Sequence, residues 1–224
     1  MRISAVITAG GSGQRFGAKK QYLELAGVPI LRRTVQVFAD HPQIDAIVVT
    51  APADDLAATE TLLAGLNKPC QVVAGGPTRQ ASVYAGLKAA AASEIVLIHD
   101  GVRPLVTPEL IERVIAGLTE AEGCIPGLKL NDTIKRAPGG LVATTVARDE
   151  LYTVQTPQAF RTATILKLHQ QAAAADDQSA TDDSSLLEAA GLAVRIVQGE
   201  ADNLKITVAA DLALAERILA WRSE

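Results

Sequence analysis

The sequence predicts an α/β fold: a mostly parallel sheet flanked by helices, with a β-hairpin arm projecting from it. Short apolar runs rich in β-branched residues alternate with stretches of helical period. The apolar runs are continuous, as strands covered on both faces are. The rhythm breaks between Leu128 and Val154, where extended segments flank Ala137-Pro138-Gly139-Gly140, a strong turn signal.

Taken in order, Ile3–Thr8 is a buried strand by its β-branched content, and Ile30–Ala39 has helical period. Ile44–Thr50 is a second strand and Asp54–Leu66 a helix with Ala and Leu on one face. Gln71–Ala74 is a third strand, closed by Gly75-Gly76-Pro77 and followed by a helix over Arg79–Ala92. Ile95–His99 is a fourth strand. Thr107-Pro108-Glu109 then supplies an N-cap, a first-turn proline and an early acid for the next helix. Leu130–Arg136 and Leu141–Arg148 form the arm, which is too small to be stable alone and is expected to pack on another subunit. Helices over Thr162–Ala175, Asp183–Ala190 and Ala209–Trp221 and a strand over Val194–Val197 complete the chain.

A length of 224 residues suits one domain, here 1–224, with 128–154 as its arm. Hydrophobic residues at 48% with aromatics at only 3% imply an aliphatic core. The net charge of −4 argues against a non-specific nucleic-acid binder, which would carry a basic excess. Cys70 and Cys124 lack metal-site spacing and read as buried, reduced thiols. The apolar run at the N-terminus is too short for a signal peptide or a membrane span, so a soluble cytoplasmic protein is expected.

Ligands of parallel sheets bind beyond the carboxyl ends of the strands. Those ends carry Ala9–Lys20, Gly75–Ser82 and Asp100–Pro104. The first runs Ala9-Gly10-Gly11-Ser12-Gly13-Gln14-Arg15-Phe16-Gly17-Ala18-Lys19-Lys20. A dinucleotide fingerprint would need glycine where Phe16 stands, and a P-loop would need Gly-Lys-Ser/Thr where Ala18-Lys19-Lys20 stands, so both matches fail. A glycine stretch followed by Arg15 and Lys20 remains. Its amides and cations suit a triphosphate, Arg15 gripping two oxygens and Lys20 acting as a point charge. The alternative is an ordinary strand-to-helix turn with solvated basic residues.

Further motifs follow in order: Gly75-Gly76-Pro77-Thr78-Arg79-Gln80-Ala81-Ser82-Val83, His99-Asp100-Gly101-Val102-Arg103-Pro104, Asp132-Thr133-Ile134-Lys135, Gln155-Thr156-Pro157-Gln158-Ala159-Phe160, Thr181-Asp182-Asp183 and Ala201-Asp202-Asn203-Leu204-Lys205-Ile206-Thr207. Together they make nearly the whole chain resemble the 2-C-methyl-D-erythritol 4-phosphate cytidylyltransferase family. The resemblance implies a Rossmann-like nucleotidyltransferase domain that dimerises through its arm. It also implies a magnesium-dependent transfer from CTP to the polyol phosphate with release of pyrophosphate. By position, it assigns Arg15 and Lys20 to the triphosphate and the transition state, and Lys205 to the α-phosphate. Ala9, Gly10 and Gly11, with Gly13 in the same stretch, match the backbone cradle; Gly76 and Ser82 match the cytosine pocket. Asp100 and Arg103, around Gly101, match the acid and base after the fourth strand, and Asp100 is also the candidate magnesium ligand. Thr133 and Arg148 match arm residues that reach the neighbouring subunit's substrate.

The chain departs from the family pattern at several places. Lys19 stands where the family usually has proline, and the stretch from Arg15 to Lys20 is short. Gly101 replaces a usual alanine and should loosen the backbone. Pro77 has no N–H to offer a base, and Ala147 precedes Arg148 where an acid is common. Simpler readings stay open: Ser82 as a small helix residue, Asp100 as a turn cap, Lys205 as a solvated lysine, and Thr133 and Arg148 as ordinary strand decoration. Asp182 and Asp183 read as helix caps and His99 as structural. His41, in a loop, and His169, on a surface helix, lack partners for a triad. Three rival functions remain. A ribitol-phosphate cytidylyltransferase would share the CTP loops. A nicotinamide oxidoreductase is opposed by Phe16 and by the absence of an acid after Val48-Val49-Thr50. A non-catalytic nucleotide-binding module would have little use for Arg15, Lys20, Asp100 and Lys205 together.

Overall fold

A computed structural model describes residues 1–10 and 19–222. The elements are β1 (Ile3–Thr8), β2 (Glu24–Leu25), β3 (Val28–Pro29), α1 (Ile30–Asp40), β4 (Ala46–Ala51), α2 (Leu56–Leu62), β5 (Cys70–Ala74) and α3 (Arg79–Ala89). They continue with β6 (Ile95–Asp100), α4 (Pro108–Ala116), β7 (Gly123–Lys129), β8 (Ile134–Arg136), β9 (Thr144–Val146), β10 (Tyr152–Val154), β11 (Gln158–Arg161), α5 (Thr162–Ala174), α6 (Ser184–Ala189), β12 (Val194–Gln198) and α7 (Ala209–Arg222). Among the described residues, the main sheet has eight strands.

Strands β5, β4, β1 and β6 run parallel, as the continuous apolar runs predict. β11 then enters antiparallel to β6, and β7 antiparallel to β11. β12 pairs parallel with β7, and β10 pairs antiparallel with it. Sequence reasoning did not find β7, β10 or β11. Gly123, Pro126 and Gly127 make β7 read as a cluster of breakers, yet Gly123–Ile125 is buried. Gln158–Arg161 is a short run directly after a proline, and only its burial between β6 and β7 makes it a strand.

Both faces of β1, β4 and β6 are dry, because successive side chains point to opposite faces and both are covered. Ala5, Ile7, Val49 and Leu97 pack with Leu31, Val35 and Phe38 of α1 and Leu110 and Val114 of α4. Val6, Val48, Val96 and Ile98 pack on the other side with Val83 and Leu87 of α3 and Ile165 of α5. Gly86 allows α3 to approach closely: a Cβ there would lie 2.5 Å from Val6 Cγ1. α7 closes a third cluster, with Ala215 packing beside Leu25, Ile30, Leu105 and Ile206.

Strands β8 and β9 form a separate two-stranded ribbon, Ile134 opposite Val146 and Arg136 opposite Thr144. It is shorter than the predicted 130–136 and 141–148. Its turn places Gly139 at φ +61° and Gly140 at φ +84°, conformations that glycine adopts without a Cβ penalty. Leu141 and Val142 beside this turn are exposed. Cys124 is buried as expected, whereas Cys70 is only half-buried; burial pushes both thiols up to about 11. No helix among the described residues is long and apolar enough to cross a membrane.

Candidate active site

Three backbone hydrogen bonds gather the strand ends. Ala9 N donates to Thr50 O at 2.8 Å, Gly75 N to Ala51 O at 2.8 Å, and Gly101 N to Thr8 O at 2.9 Å. A Cβ on Gly101 would stand 2.9 Å from Thr8 O and 3.1 Å from Leu31 Cδ1. Gly101 therefore tightens this junction, correcting the expectation that it loosens the backbone.

Ser82, 3% exposed, closes the Gly75–Ser82 loop on itself and packs beside Gly10. Its Oγ accepts from Gly76 N at 3.1 Å and lies 2.9 Å from Thr78 O as a donor. A Cβ on Gly10 would approach the same oxygen to 3.2 Å, and one on Gly75 to 2.8 Å. At Gly76 a Cβ would fall 2.4 Å from Ala81 Cβ. Ser82, Gly76 and Gly10 thus form one compact corner. Gly11, Gly13 and Arg15 lie outside the described residues.

Asp100 ends β6 and is 6% exposed. Its Oδ2 lies 3.0 Å from Lys205 Nζ and 3.2 Å from Arg103 Nε, and its Oδ1 lies 3.5 Å from Arg79 Nε. Burial alone would raise its pKa, but Lys205, Arg79 and Arg103 together hold it well below the usual carboxylate range. Lys205 is therefore paired, although its side chain is 40% exposed, and Asp100 is more than a turn cap. With Asp183, which also binds Arg79, the cluster has three cations against two carboxylates among the described residues, an excess of one positive charge there.

Arg79, left without a role by the sequence reading, is the bridge. Its Nη2 donates to Asp183 Oδ2 at 2.7 Å. The sequence held a signal for this. Arg79 is the first residue of α3, after the Thr78 N-cap, where the helix dipole disfavours a cation, so a carboxylate partner was to be expected. Asp183 is 1% exposed; burial would raise its pKa, and Arg79 and His169 hold it low. His169 Nε2 donates to Asp183 Oδ1 at 3.2 Å, and the ring is 1% exposed. His169 is thus a buried, partnered residue, not a surface one. Of the two acids read as helix caps, Asp182 does cap α6, accepting from Ser185 N at 3.0 Å, while Asp183 makes no cap hydrogen bond.

His99 is structural, as expected. Asp100 N donates to Thr156 Oγ1 at 3.1 Å, the Thr156 hydroxyl lies 3.0 Å from His99 Nδ1, and His99 Nε2 lies 3.2 Å from Arg103 O. This relay suits a neutral ring with its proton on Nε2. Burial pushes the His99 pKa down to about 4. Arg103 is held further by Asn203 O at 2.9 Å.

Lys20 opens a one-turn 3-10 helix over Lys20–Tyr22. Its charge acts on Asp211 at the start of α7. Burial would raise the Asp211 pKa, but the Thr207 hydroxyl, the amides of Val208 and Thr207 and, last, Lys20 hold it low. Thr133 and Arg148 are exposed on the β8–β9 ribbon, one just before β8 and one just after β9.

The site combines cationic side chains with closely packed glycines at the carboxyl end of a parallel sheet, an arrangement suited to a polyphosphate. Comparison with known proteins agrees. A bifunctional IspD/IspF enzyme of Rhodospirillum rubrum is 44% identical over 227 residues, covering 100% of this chain and 58% of that protein. The chain thus spans little more than half of such relatives. The 2-C-methyl-D-erythritol 4-phosphate cytidylyltransferase of Geobacter metallireducens is 41% identical over 228 residues, covering 98% of both chains. The crystal structure of 4-diphosphocytidyl-2C-methyl-D-erythritol synthase from Anaerococcus prevotii superposes with a TM-score of 0.87 at 35% identity, covering 98% of each chain. The model of one family matches residues 3–221, and the chain belongs to that family, 2-C-methyl-D-erythritol 4-phosphate cytidylyltransferase.

Proposed function

We propose that the protein transfers the cytidylyl group of CTP to 2-C-methyl-D-erythritol 4-phosphate, giving CDP-methylerythritol and pyrophosphate. The observation that carries this reading is the convergence of Arg79, Arg103 and Lys205 on Asp100, with an excess positive charge at the carboxyl end of the sheet. A phosphate oxygen of the acceptor attacks the α-phosphorus of CTP. A new P–O bond forms, the bond from the α-phosphorus to the bridging oxygen breaks, and pyrophosphate leaves with that electron pair.

No covalent nucleophile on the protein is needed; positioning and charge stabilisation suffice. Lys205, Lys20 and Arg15 neutralise the α-phosphate, the incoming phosphate and the leaving group. Asp100 stays ionised, so it serves as the anchor that aims Lys205 and Arg103 rather than as a proton donor. Backbone amides at Gly10, Gly11 and Gly13 cradle the triphosphate, without the expected Ala9, whose N–H is already given to Thr50 O, and Gly76 and Ser82 face the base. Gly101 holds the Asp100 turn against β1.

Magnesium supplies charge neutralisation on the phosphates when bound. Among the described residues there is no cluster of His, Cys, Asp or Glu that could hold a metal ion, and both oxygens of Asp100 face cations. That donor set favours an ion that enters on the triphosphate with its waters over one caged by protein, and assigns Asp100 to its cations first.

The chain acts as one domain over 1–224, and its 128–154 arm pairs two copies in a cytoplasmic homodimer. Thr133 and Arg148 then reach the partner's acceptor phosphate, a reading supported by their exposure and by exposed Leu141 and Val142. The test is a pyrophosphate-release panel of four nucleoside triphosphates against methylerythritol phosphate and ribitol 5-phosphate. CTP with methylerythritol phosphate should dominate. Preference for ribitol 5-phosphate would move the assignment to the sister activity, and CTP binding without turnover with either acceptor would reject catalysis.

A further inference from the structure

We propose that Lys19 and Asp55 form a clamp that aims Lys20 at the triphosphate, making Lys19 a positioning residue and not a second phosphate-binding lysine. The proposal rests on the cytidylyltransferase reading above and resolves which of the two adjacent lysines does which work.

Lys19 Nζ lies 2.7 Å from both oxygens of the Asp55 carboxylate. Asp55 ends a short 3-10 turn (Ala53–Asp55) that follows β4 and leads into α2. Its side chain is 14% exposed, so it is a fixed point, whereas Lys19 is 50% exposed. With its ammonium matched to a carboxylate, Lys19 brings little free charge to an anionic ligand. Lys20, the next residue, opens the 3-10 turn over Lys20–Tyr22 and lies close enough to Asp211 for its charge to act there.

The segment is tied down again just beyond. Tyr22 N donates to Lys19 O and Leu23 N to Lys20 O, both at 3.1 Å, closing the 3-10 turn around Lys20. The Tyr22 hydroxyl lies 2.8 Å from Thr59 Oγ1 on α2. Lys20 therefore sits between two anchors on the same β4–α2 unit, one at Lys19 and one at Tyr22. A half-exposed ion pair is a weak stabiliser of the fold. Its consequence is geometric: a reacting group displaced by about 1 Å can lose up to about a hundredfold in rate.

The test is a double-mutant cycle on turnover of CTP with methylerythritol phosphate, using Lys19→Ala, Asp55→Asn, the double variant and Lys19→Arg. Each single substitution should lower kcat about tenfold with KM for CTP within about threefold, and the double variant should be no worse than either single one. Lys19→Arg, which can keep a two-oxygen grip on Asp55, should recover kcat to within about threefold of the parent. The clamp is overturned if Asp55→Asn leaves kcat intact, if Lys19→Ala chiefly raises KM for CTP, or if the two losses multiply.

A second readout separates this claim from the function itself. The rate at which acetic anhydride labels Lys20, followed by mass spectrometry, should change by about threefold or more, in the same direction, in both single variants. If the parent protein releases no pyrophosphate, the cytidylyltransferase reading fails and the clamp is judged on labelling alone. Unchanged labelling of Lys20 in either variant then rejects it.

Discussion

Arg79 donates to Asp183 across 2.7 Å, joining the first turn of α3 to the start of α6. The same guanidinium reaches Asp100, so a structural ion pair and the candidate site share one side chain. Arg79→Met should leave Asp183 buried without its cation and cost about 3 kcal/mol or more. Adding Asp183→Asn should recover part of that loss. Chemical denaturation of the three variants tests this; if Arg79→Met alone is within about 0.5 kcal/mol of the parent, the buried pair does not matter as described.

Lys205 is 40% exposed on its side chain and shares Asp100 with two arginines, so its removal should barely affect folding. Lys205→Ala is expected to change stability by less than about 1 kcal/mol. Turnover should fall about a hundredfold, the scale for losing one donor of transition-state charge stabilisation. Lys20→Ala should lose kcat on the same scale. Steady-state kinetics beside thermal melts separate the two effects, and a Lys205→Ala enzyme with near-parental kcat would remove Lys205 from the chemistry.

His99 has a folded pKa of about 4, below its ordinary value of 6.5. Between those values the unfolded chain binds more protons than the native one, so stability is complete above about pH 6.5 and is lost as pH falls toward 4. The loss attributable to His99 is up to roughly 3 kcal/mol. His99→Gln can still accept from Thr156 and donate to Arg103 O but cannot titrate. Its unfolding free energy should therefore vary less between pH 6.5 and pH 5 than that of the parent. Equal slopes in that window would show that His99 is not the titrating group.

Gly76→Ala would bring a Cβ to 2.4 Å from Ala81 Cβ and 3.1 Å from the Ala81 carbonyl carbon. Both neighbours belong to the first turn of α3, so the strain cannot be relieved by a flexible side chain. A destabilisation of about 1–3 kcal/mol is expected. KM for CTP should rise with it, because the same corner carries Ser82. A variant with parental stability and KM would mean that the Gly76–Ser82 corner adapts freely.

Leu141 and Val142 are 80% and 65% exposed at the β8–β9 turn. If they meet a second copy, Leu141→Asp with Val142→Asp should shift the protein toward monomer in light scattering and lower activity, since Thr133 and Arg148 would no longer reach a partner. A monomeric parent protein with full turnover would refute the proposed arm.

Much of this architecture was readable without coordinates. The runs Ile3–Thr8 and Ile95–His99 carry β-branched residues at every depth of a two-sided sheet, so local composition and burial agree there. The Thr107-Pro108-Glu109 start of α4 is likewise written locally, and the Thr107 hydroxyl accepts from Leu110 N at 3.1 Å. The Gly75–Ser82 and Asp100–Arg103 loops were identified because they follow the carboxyl ends of parallel strands, where ligands of such sheets bind.

What escaped were features set by distant partners. β11 is a strand because β6 and β7 flank it, and nothing in Gln158–Arg161 encodes those neighbours. Arg79, Asp183 and His169 are far apart in sequence, and the surface reading of His169 failed because only packing shows which face of α5 is covered. Lys19 and Lys20 are adjacent lysines with the same chemistry, and Asp55 is what tells them apart. The amino-acid sequence determined the helices and parallel strands, the loop chemistry and the family, because propensity, periodicity and turn residues act over a few positions. The tertiary structure decided which charges meet, because ion pairs depend on distances through space that chain order does not fix.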